Sequence, residues 1–288
     1  MKPAPFTYGS CETVEEAVSL LAEHGDEAKL LAGGQSLVPL MNLRLAAPSV
    51  IVDLNRVSAL EGIRANGTIE IGAMTRQSEL ERSPEIAAGA PLVASALRHV
   101  AFPAVRSRGT IGGSIAHADP AAELPAVLLA LGGEVVAQSA SGSRTIPADE
   151  LFQTYFTTAL RSDEVLTHVR VPVAGGGQRF GIQEVARKRN DFALAGAVVV
   201  ASVDGSGACT SARVALFGVS DRPVRAEGAE QALAGRSLDA EAAAAAAEAA
   251  MGEIDPKADA HASVEYRREV TGVLVRRTVV EAASGGRG

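Results

Sequence analysis

Lys29-Leu30-Leu31-Ala32-Gly33-Gly34-Gln35-Ser36-Leu37 is the stretch on which the reading of this chain turns. The apolar run Lys29 to Ala32 predicts a short strand. Gly33-Gly34 predicts a tight turn, and Ser36 predicts the cap of a helix running to about Leu45. Glycine lets backbone come close to an anion, and successive N–H groups there form a concave nest for phosphate oxygens. A helix beginning at Ser36 adds free donors and a favourable dipole. Thr110-Ile111-Gly112-Gly113-Ser114 has the same makeup, a glycine pair flanked by hydroxyl side chains. Two such loops suit the two phosphates of one dinucleotide. Taken singly, each is also what an ordinary turn looks like.

Working outward, Thr13-Val14-Glu15-Glu16 reads as a capping box before the apolar stripe Val14, Ala17, Val18, Leu21, with Gly25 as the stop. Val50 to Leu54 reads as a buried strand, so the opening quarter is a small α/β unit. The pattern then turns β-rich. Asn66-Gly67 marks a hairpin between Glu61–Ala65 and Thr68–Gly72. Helical patterns follow at Gln77–Arg82 and Ala90–Val100. Asp119-Pro120 suits the cap and first position of a helix reaching Leu131, although Pro125 argues for a late start or a kink. Strands are expected near Glu134–Gln138, Arg144–Ile146 and Val165–Val173. Gly175-Gly176-Gly177 reads as a linker. Beyond it come three strands, Phe180–Ala186, Ala195–Val203 and Ser211–Gly218, and then helices. Glu241–Ala250, made only of Ala and Glu, reads as a structural surface helix, and Tyr266–Ala282 as the last helix.

The 288 residues suffice for two or three compact units, and 47% apolar against 21% charged residues excludes a disordered chain. A net charge of −7 argues against a nucleic-acid binder. No apolar run approaches the roughly 18 residues of a membrane span, and the first residues lack the apolar segment of a signal peptide. A soluble, cytoplasmic protein is the default expectation. The two cysteines, Cys11 and Cys209, lie far apart and in no metal-holding spacing. An iron–sulfur cluster on this chain alone is therefore excluded, and no metal site is expected. Neither GxGxxG after a first strand nor GxxxxGK[ST] is present, which disfavours a Rossmann dehydrogenase and a P-loop NTPase. A GxSxG nucleophile is missing too. The chain has loops for gripping a ligand and no evident acid–base machinery.

The two loops together resemble the FAD loops of the flavoprotein subunits of molybdenum hydroxylases. These include the medium subunits of carbon monoxide dehydrogenase and quinoline oxidoreductase, and the central domain of xanthine dehydrogenase. Pro48 to Asp53, Ala118-Asp119-Pro120-Ala121-Ala122-Glu123-Leu124-Pro125 and Arg187-Lys188-Arg189-Asn190-Asp191-Phe192-Ala193 extend the resemblance over essentially the whole chain. It implies an α+β fold: a two-part FAD domain of the vanillyl-alcohol oxidase plan (residues 1–56 and 57–176), then a C-terminal domain (178–288) with a three-stranded antiparallel sheet and a helix bundle.

Position by position, the resemblance implies that Ala32, Gly33, Gly34, Gln35, Ser36 and Leu37, with Thr110, Ile111, Gly112, Gly113 and Ser114, wrap the pyrophosphate and adjoining sugars. Lys29 falls near the adenosine, or is simply a solvated strand-edge lysine. Glu123 matches a carboxylate on FAD hydroxyls, or is a first-turn helix acid. Ala101, Val105 and Leu166 match positions lining the isoalloxazine. Asp191 and Phe192 match a segment against the flavin, where the carbon monoxide enzymes carry Tyr; the alternative is a buried Phe of the C-terminal sheet. His117 reads as a structural histidine, with a flavin-side role as the alternative. Ser114 stands where the family commonly has Asn.

The implied role is electron transfer without contact with the organic substrate. The chain takes electrons from a small subunit carrying 2Fe-2S clusters and passes them to an external acceptor. A large subunit holds the molybdenum cofactor, in a dimer of heterotrimers. The rival readings are an independent flavin reductase or oxidase of the same superfamily, and a scaffold that has lost its FAD.

Overall fold

The computed structural model describes residues 1–285. The first unit is a three-stranded parallel sheet: β1 (Thr7–Ser10), β2 (Ala28–Leu31) and β3 (Val50–Asp53), in the order β1-β3-β2. Helix α1 (Val14–His24) lays Val14, Ala17, Val18 and Leu21 on it. Thr13 caps α1 by accepting from the Glu16 N–H at 3.2 Å, and Gly25 ends it at φ 51°. The reciprocal arm of the capping box lands one residue early: the Glu16 carboxylate accepts from the Glu12 N–H, at 2.7 Å. Helix α2 (Leu37–Asn42) is shorter than expected, and the Ser36 side chain makes no cap bond. Parallel strands place their connecting loops at one end, so residues 32–36 and 54–56 come together beyond the carboxyl ends of β2 and β3.

The second unit is a five-stranded antiparallel sheet of order β4-β5-β10-β6-β7. Its strands are β4 (Ile63–Asn66), β5 (Thr68–Gly72), β6 (Glu134–Ser139), β7 (Gly142–Pro147) and β10 (Val165–Pro172). Asn66-Gly67 is the β4–β5 turn, with Gly67 at φ 71°. Between β5 and β6 run six short helices, α3 (Gln77–Leu80), α4 (Pro84–Gly89), α5 (Pro91–Leu97), α6 (Pro103–Arg106), α7 (Ile111–His117) and α8 (Glu123–Leu131). They cover the face made by Ile69, Ile71, Val135, Val169 and Val171. A four-residue helix, α9 (Ala148–Leu151), and a small ribbon, β8 (Phe152–Thr154) with β9 (Thr157–Thr158), precede β10. Asp119 does not cap α8. Its carboxylate closes a local turn by accepting from the Ala121 N–H at 2.9 Å, and the helix begins late, at Glu123, with Pro125 inside the first turn where no intrahelical donor is needed.

The third unit follows Gly175–Gly177. Strands β11 (Gln178–Ala186), β12 (Ala193–Val203) and β13 (Cys209–Phe217) form the expected antiparallel sheet, and a two-residue strand, β14 (Val224–Arg225), extends it to four. Strand β12 is buried on both faces. Val198 and Val200 join the core around α8, while Ala195, Ala197 and Val199 face helices α10 (Glu227–Leu233), α11 (Ala240–Gly252) and α12 (Val264–Ala283). Helix α11 is a surface helix, with Glu241, Ala244 and Glu248 exposed on one side. Ala242, Ala243, Ala246, Ala247 and Ala250 form one buried face, whose small side chains let α10 and α12 pack close. The sheet of this unit and the helices of the second therefore share one core, with α8 buried between them.

Candidate cofactor site

The two glycine loops meet. A Cβ on Gly33 would lie 2.2 Å from the Arg108 carbonyl oxygen and 2.8 Å from the Gly109 Cα. A Cβ on Gly113 would lie 2.7 Å from the Thr110 hydroxyl and 3.4 Å from the Ala32 methyl, and one on Gly112 would lie 2.5 Å from the Ala73 Cβ. Gly33 is needed because backbone rests on backbone, and Gly112 and Gly113 because Ala73, the Thr110 hydroxyl and the Ala32 methyl pack against them, a more specific reason than room for a phosphate.

The loops are not equivalent. Among the described residues, the backbone N–H groups of Gly33, Gly34, Gln35, Ser36 and Leu37 donate to no protein acceptor. Gly34 turns the chain at φ 72°, and the Gln35 amide folds back on the Gly33 carbonyl at 3.2 Å. This is a nest of unpartnered donors. The second loop is the first turn of α7. Its amides are already engaged: Ile111 with Thr75 O, Gly112 with Ala73 O, Gly113 with the Thr110 side chain, and Ser114 with Thr110 O. It therefore offers a flat glycine wall and the half-buried Ser114 hydroxyl, not a second nest.

A polar brace links both loops. The Asn55 amide donates to the Ala32 carbonyl at 3.0 Å. Arg76 donates to Asn55 Oδ1 at 2.6 Å and to the Arg108 carbonyl at 2.5 Å. Asn55 is in turn oriented by Asp53, which also accepts from the Tyr8 hydroxyl at 2.5 Å. Burial alone would raise the Asp53 carboxyl, but the hydrogen bonds from Tyr8 and Asn55 and the charge of Arg108 outweigh it and hold the group below its usual range. Arg76→Leu removes the brace and leaves two acceptors unmet. It is expected to lower the unfolding free energy by about 1–3 kcal/mol. Urea denaturation at pH 7 checks this; a change below about 0.5 kcal/mol would mean that water replaces the guanidinium.

The other expected site residues lie on several elements. Lys29 is exposed on the edge strand β2. Ala101 sits in a left-handed turn at φ 39°, its carbonyl held at 2.8 Å by Arg106, whose buried guanidinium also pairs with Glu81 at 3.0 Å. Val105 is half-buried on α6, and Leu166 is buried on β10 beside a bulge. Glu123, the first residue of α8, is buried at 7% exposure. Burial, and then the charge of Glu184, push its carboxyl up to about 8. Glu184 lies on β11 and faces the His99 imidazole, Oε1 to Nδ1 at 3.4 Å. The hydrogen bond to Glu184 raises His99. Asp191 turns its carboxylate inward, accepting from the Phe192 N–H at 3.0 Å and from Arg187 at 3.1 Å. Phe192 is 70% exposed, so it is not a core residue of the C-terminal sheet. It stands at a cleft of about 370 Å³ that Tyr155, Ala121 and Lys257 also line. Burial pushes His117 below its usual value, and its ring lies 5.1 Å from that of Phe156.

Asn55, Arg76, His99 and Glu184 were not anticipated from sequence. Asn55 had a usable signal, a polar residue just past the carboxyl end of a parallel strand; the other three had none.

A nest of free amides beyond a parallel sheet, braced against a glycine-faced helix start, defines a dinucleotide-binding protein. Residues 4–174 match the family model of the FAD binding domain in molybdopterin dehydrogenase, and residues 181–282 match that of the CO dehydrogenase flavoprotein C-terminal domain. The chain belongs to this family, the FAD-binding medium subunits of the molybdenum hydroxylases. It is 43% identical, over 98% of its length and 96% of the relative's, to the 6-hydroxypseudooxynicotine dehydrogenase complex subunit alpha of Paenarthrobacter nicotinovorans. Its structure is similar to carbon monoxide dehydrogenase from Hydrogenophaga pseudoflava, with TM-score 0.96, 41% identity and 99% of both chains covered. It is also similar to quinoline 2-oxidoreductase from Pseudomonas putida 86, with TM-score 0.94, 36% identity and both chains covered in full. The α+β fold with an FAD-binding domain followed by an antiparallel sheet and helices is as expected. Among the described residues no helix is long and apolar enough to cross a membrane.

Proposed function

We propose that this chain holds one FAD against the Gly33–Leu37 nest and serves as the electron-transferring subunit of a molybdenum hydroxylase complex. The observation that carries this reading is the run of unpartnered N–H groups from Gly33 to Leu37 against the Thr110–Ser114 wall. The donor set fits a pyrophosphate: several amides converge with no protein carbonyl to satisfy them. Lys29 lies on the adenosine side. Ala101, Val105 and Leu166 border the isoalloxazine, Glu123 meets hydroxyls of the FAD, and Asp191 and Phe192 close the flavin end from the third unit. When bound, the flavin supplies the redox chemistry and can store up to two electrons; the protein supplies position and electrostatics.

The electrons come from a small subunit with 2Fe-2S clusters and leave to an external acceptor. A ferredoxin-type cluster takes four cysteine ligands, and this chain has two cysteines, buried in separate cores. A large subunit carries the molybdenum cofactor, and the assembly is a dimer of heterotrimers. The names of the relatives, a dehydrogenase complex subunit and a medium chain, support partnership.

The purified chain, alone or in its complex, is expected to be yellow, with one FAD per chain. Acid extraction and chromatography of the released cofactor test this. FMN, or no flavin after incubation with FAD, would overturn the reading.

A further inference from the structure

Three ionisable groups from three distant parts of the chain converge beside the site: His99 just past α5, Glu123 at the start of α8, and Glu184 on β11. The His99 imidazole faces Glu184 Oε1 at 3.4 Å. Its backbone is fixed by Asn190, whose amide donates to the Arg98 and His99 carbonyls at 3.2 and 3.3 Å. The Glu184 side chain is only 8% exposed, and its Oε2 is buried without a partner among the described residues. Glu123 is buried as deeply, and among the described residues no other side chain hydrogen-bonds to its carboxyl. The charged groups that act on this cluster from the surrounding elements are Asp119, ahead of α8, and Glu281, on α12. His99 is the basic group set against these carboxylates.

We infer that the Glu184–His99 pair is a positioning device that keeps Glu123 a neutral carboxylic acid, so that Glu123 offers an O–H donor to a hydrogen-bond acceptor on the ribityl–isoalloxazine half of the cofactor. Two buried carboxylates beside one imidazole cannot both ionise without leaving an unpaired charge in a low-dielectric site, and taking up a proton costs less. His99 pairs with Glu184, so the extra proton belongs on Glu123, where burial and the Glu184 charge both favour it. A carboxylic acid held neutral in this way donates where a carboxylate could only accept. No side-chain donor among the described residues engages the Glu123 carboxyl, which leaves it available to a ligand.

This inference rests on the FAD reading above and predicts a specific pH dependence. Binding requires protonated Glu123, whose value in the free protein is raised to about 8. Affinity is therefore level below that pH and falls above it, about tenfold per pH unit for one proton lost. The experiment is titration of the flavin-free full chain with FAD between pH 6 and 9.5, read by flavin fluorescence at constant ionic strength, with far-UV circular dichroism to verify folding.

Glu123→Gln keeps an N–H donor without a titratable proton. It is expected to bind FAD within a few-fold of the parent at pH 7 and to show no break. Glu184→Gln removes the charge that most strongly raises Glu123 after burial, and this outweighs the accompanying loss of charge on His99. The break is expected to move to lower pH, with affinity at pH 6 unchanged. If Glu184 were only structural, its variant would lose affinity by one factor at every pH and the break would stay in place; that result overturns the inference. So does tight binding by the parent that stays flat to pH 9.5, an outcome that needs no variant to fold. Failure to bind FAD at any pH would overturn the cofactor reading itself, and this inference with it.

Discussion

Gly33→Val is expected to yield a folded, colourless chain. The reason is a steric contact between two backbones. A Cβ at this position would sit 2.2 Å from the Arg108 carbonyl oxygen, a distance that no side-chain rotation relieves. Either the 32–37 loop or the 108–110 segment must move, and the Asn55–Arg76 brace ties both to one geometry. The free amides of Gly34 to Leu37 would then lose their convergence. Hydrogen bonds to a charged group are worth about 1.5–3 kcal/mol each, so losing two weakens binding by more than about a hundredfold. Gly205 supplies the control: a Cβ there meets nothing within 4 Å and the backbone is not in the left-handed region, so Gly205→Ala should keep full colour. The ratio of flavin to protein absorbance after incubation with excess FAD decides the matter. A Gly33→Val chain that loads FAD as well as the parent would show these loops to be mere turns.

The isolated chain is expected to oxidise no organic substrate. Its described residues include no group of three or more His, Cys, Asp or Glu that could hold a metal ion. Under anaerobic conditions, dithionite should bleach the bound flavin, while candidate N-heterocycles, aldehydes and carbon monoxide should leave it oxidised. Adding the iron–sulfur and molybdenum subunits should then allow the true substrate to bleach it. Rapid bleaching of the lone chain by any of these compounds would favour an independent flavin oxidase or reductase instead.

The parts of the fold visible from the sequence are those governed by neighbours along the chain. Thr13 caps α1 through a residue three positions on, Gly25 stops the same helix, and Asn66-Gly67 turns β4 into β5. The paired glycine loops, and with them the family, were legible for the same reason. Where two local signals competed, the outcome was not. Asp119 could cap a helix or close its own turn; it closes the turn, and α8 starts at Glu123. Composition identified the helix α11 but not its buried face, where alanine is both a helix former and the residue that packs three helices tightly.

The sequence by itself determined that the chain carries two glycine loops suited to a dinucleotide, too few cysteines for a cluster, and alternating strands that build an α+β fold. Tertiary structure alone decided that only the first loop keeps its amides free. Two donors of the second, those of Ile111 and Gly112, are satisfied by Thr75 and Ala73, on a segment remote in sequence, and the next two by Thr110. It also joined Ala32 to Asn55, Arg76 to Arg108, and His99 to Glu184, pairs separated by 23, 32 and 85 positions. Hydrogen bonds and buried charges depend on distances of a few ångströms in space, and a linear pattern of residue types encodes such distances only within a turn or a strand pair.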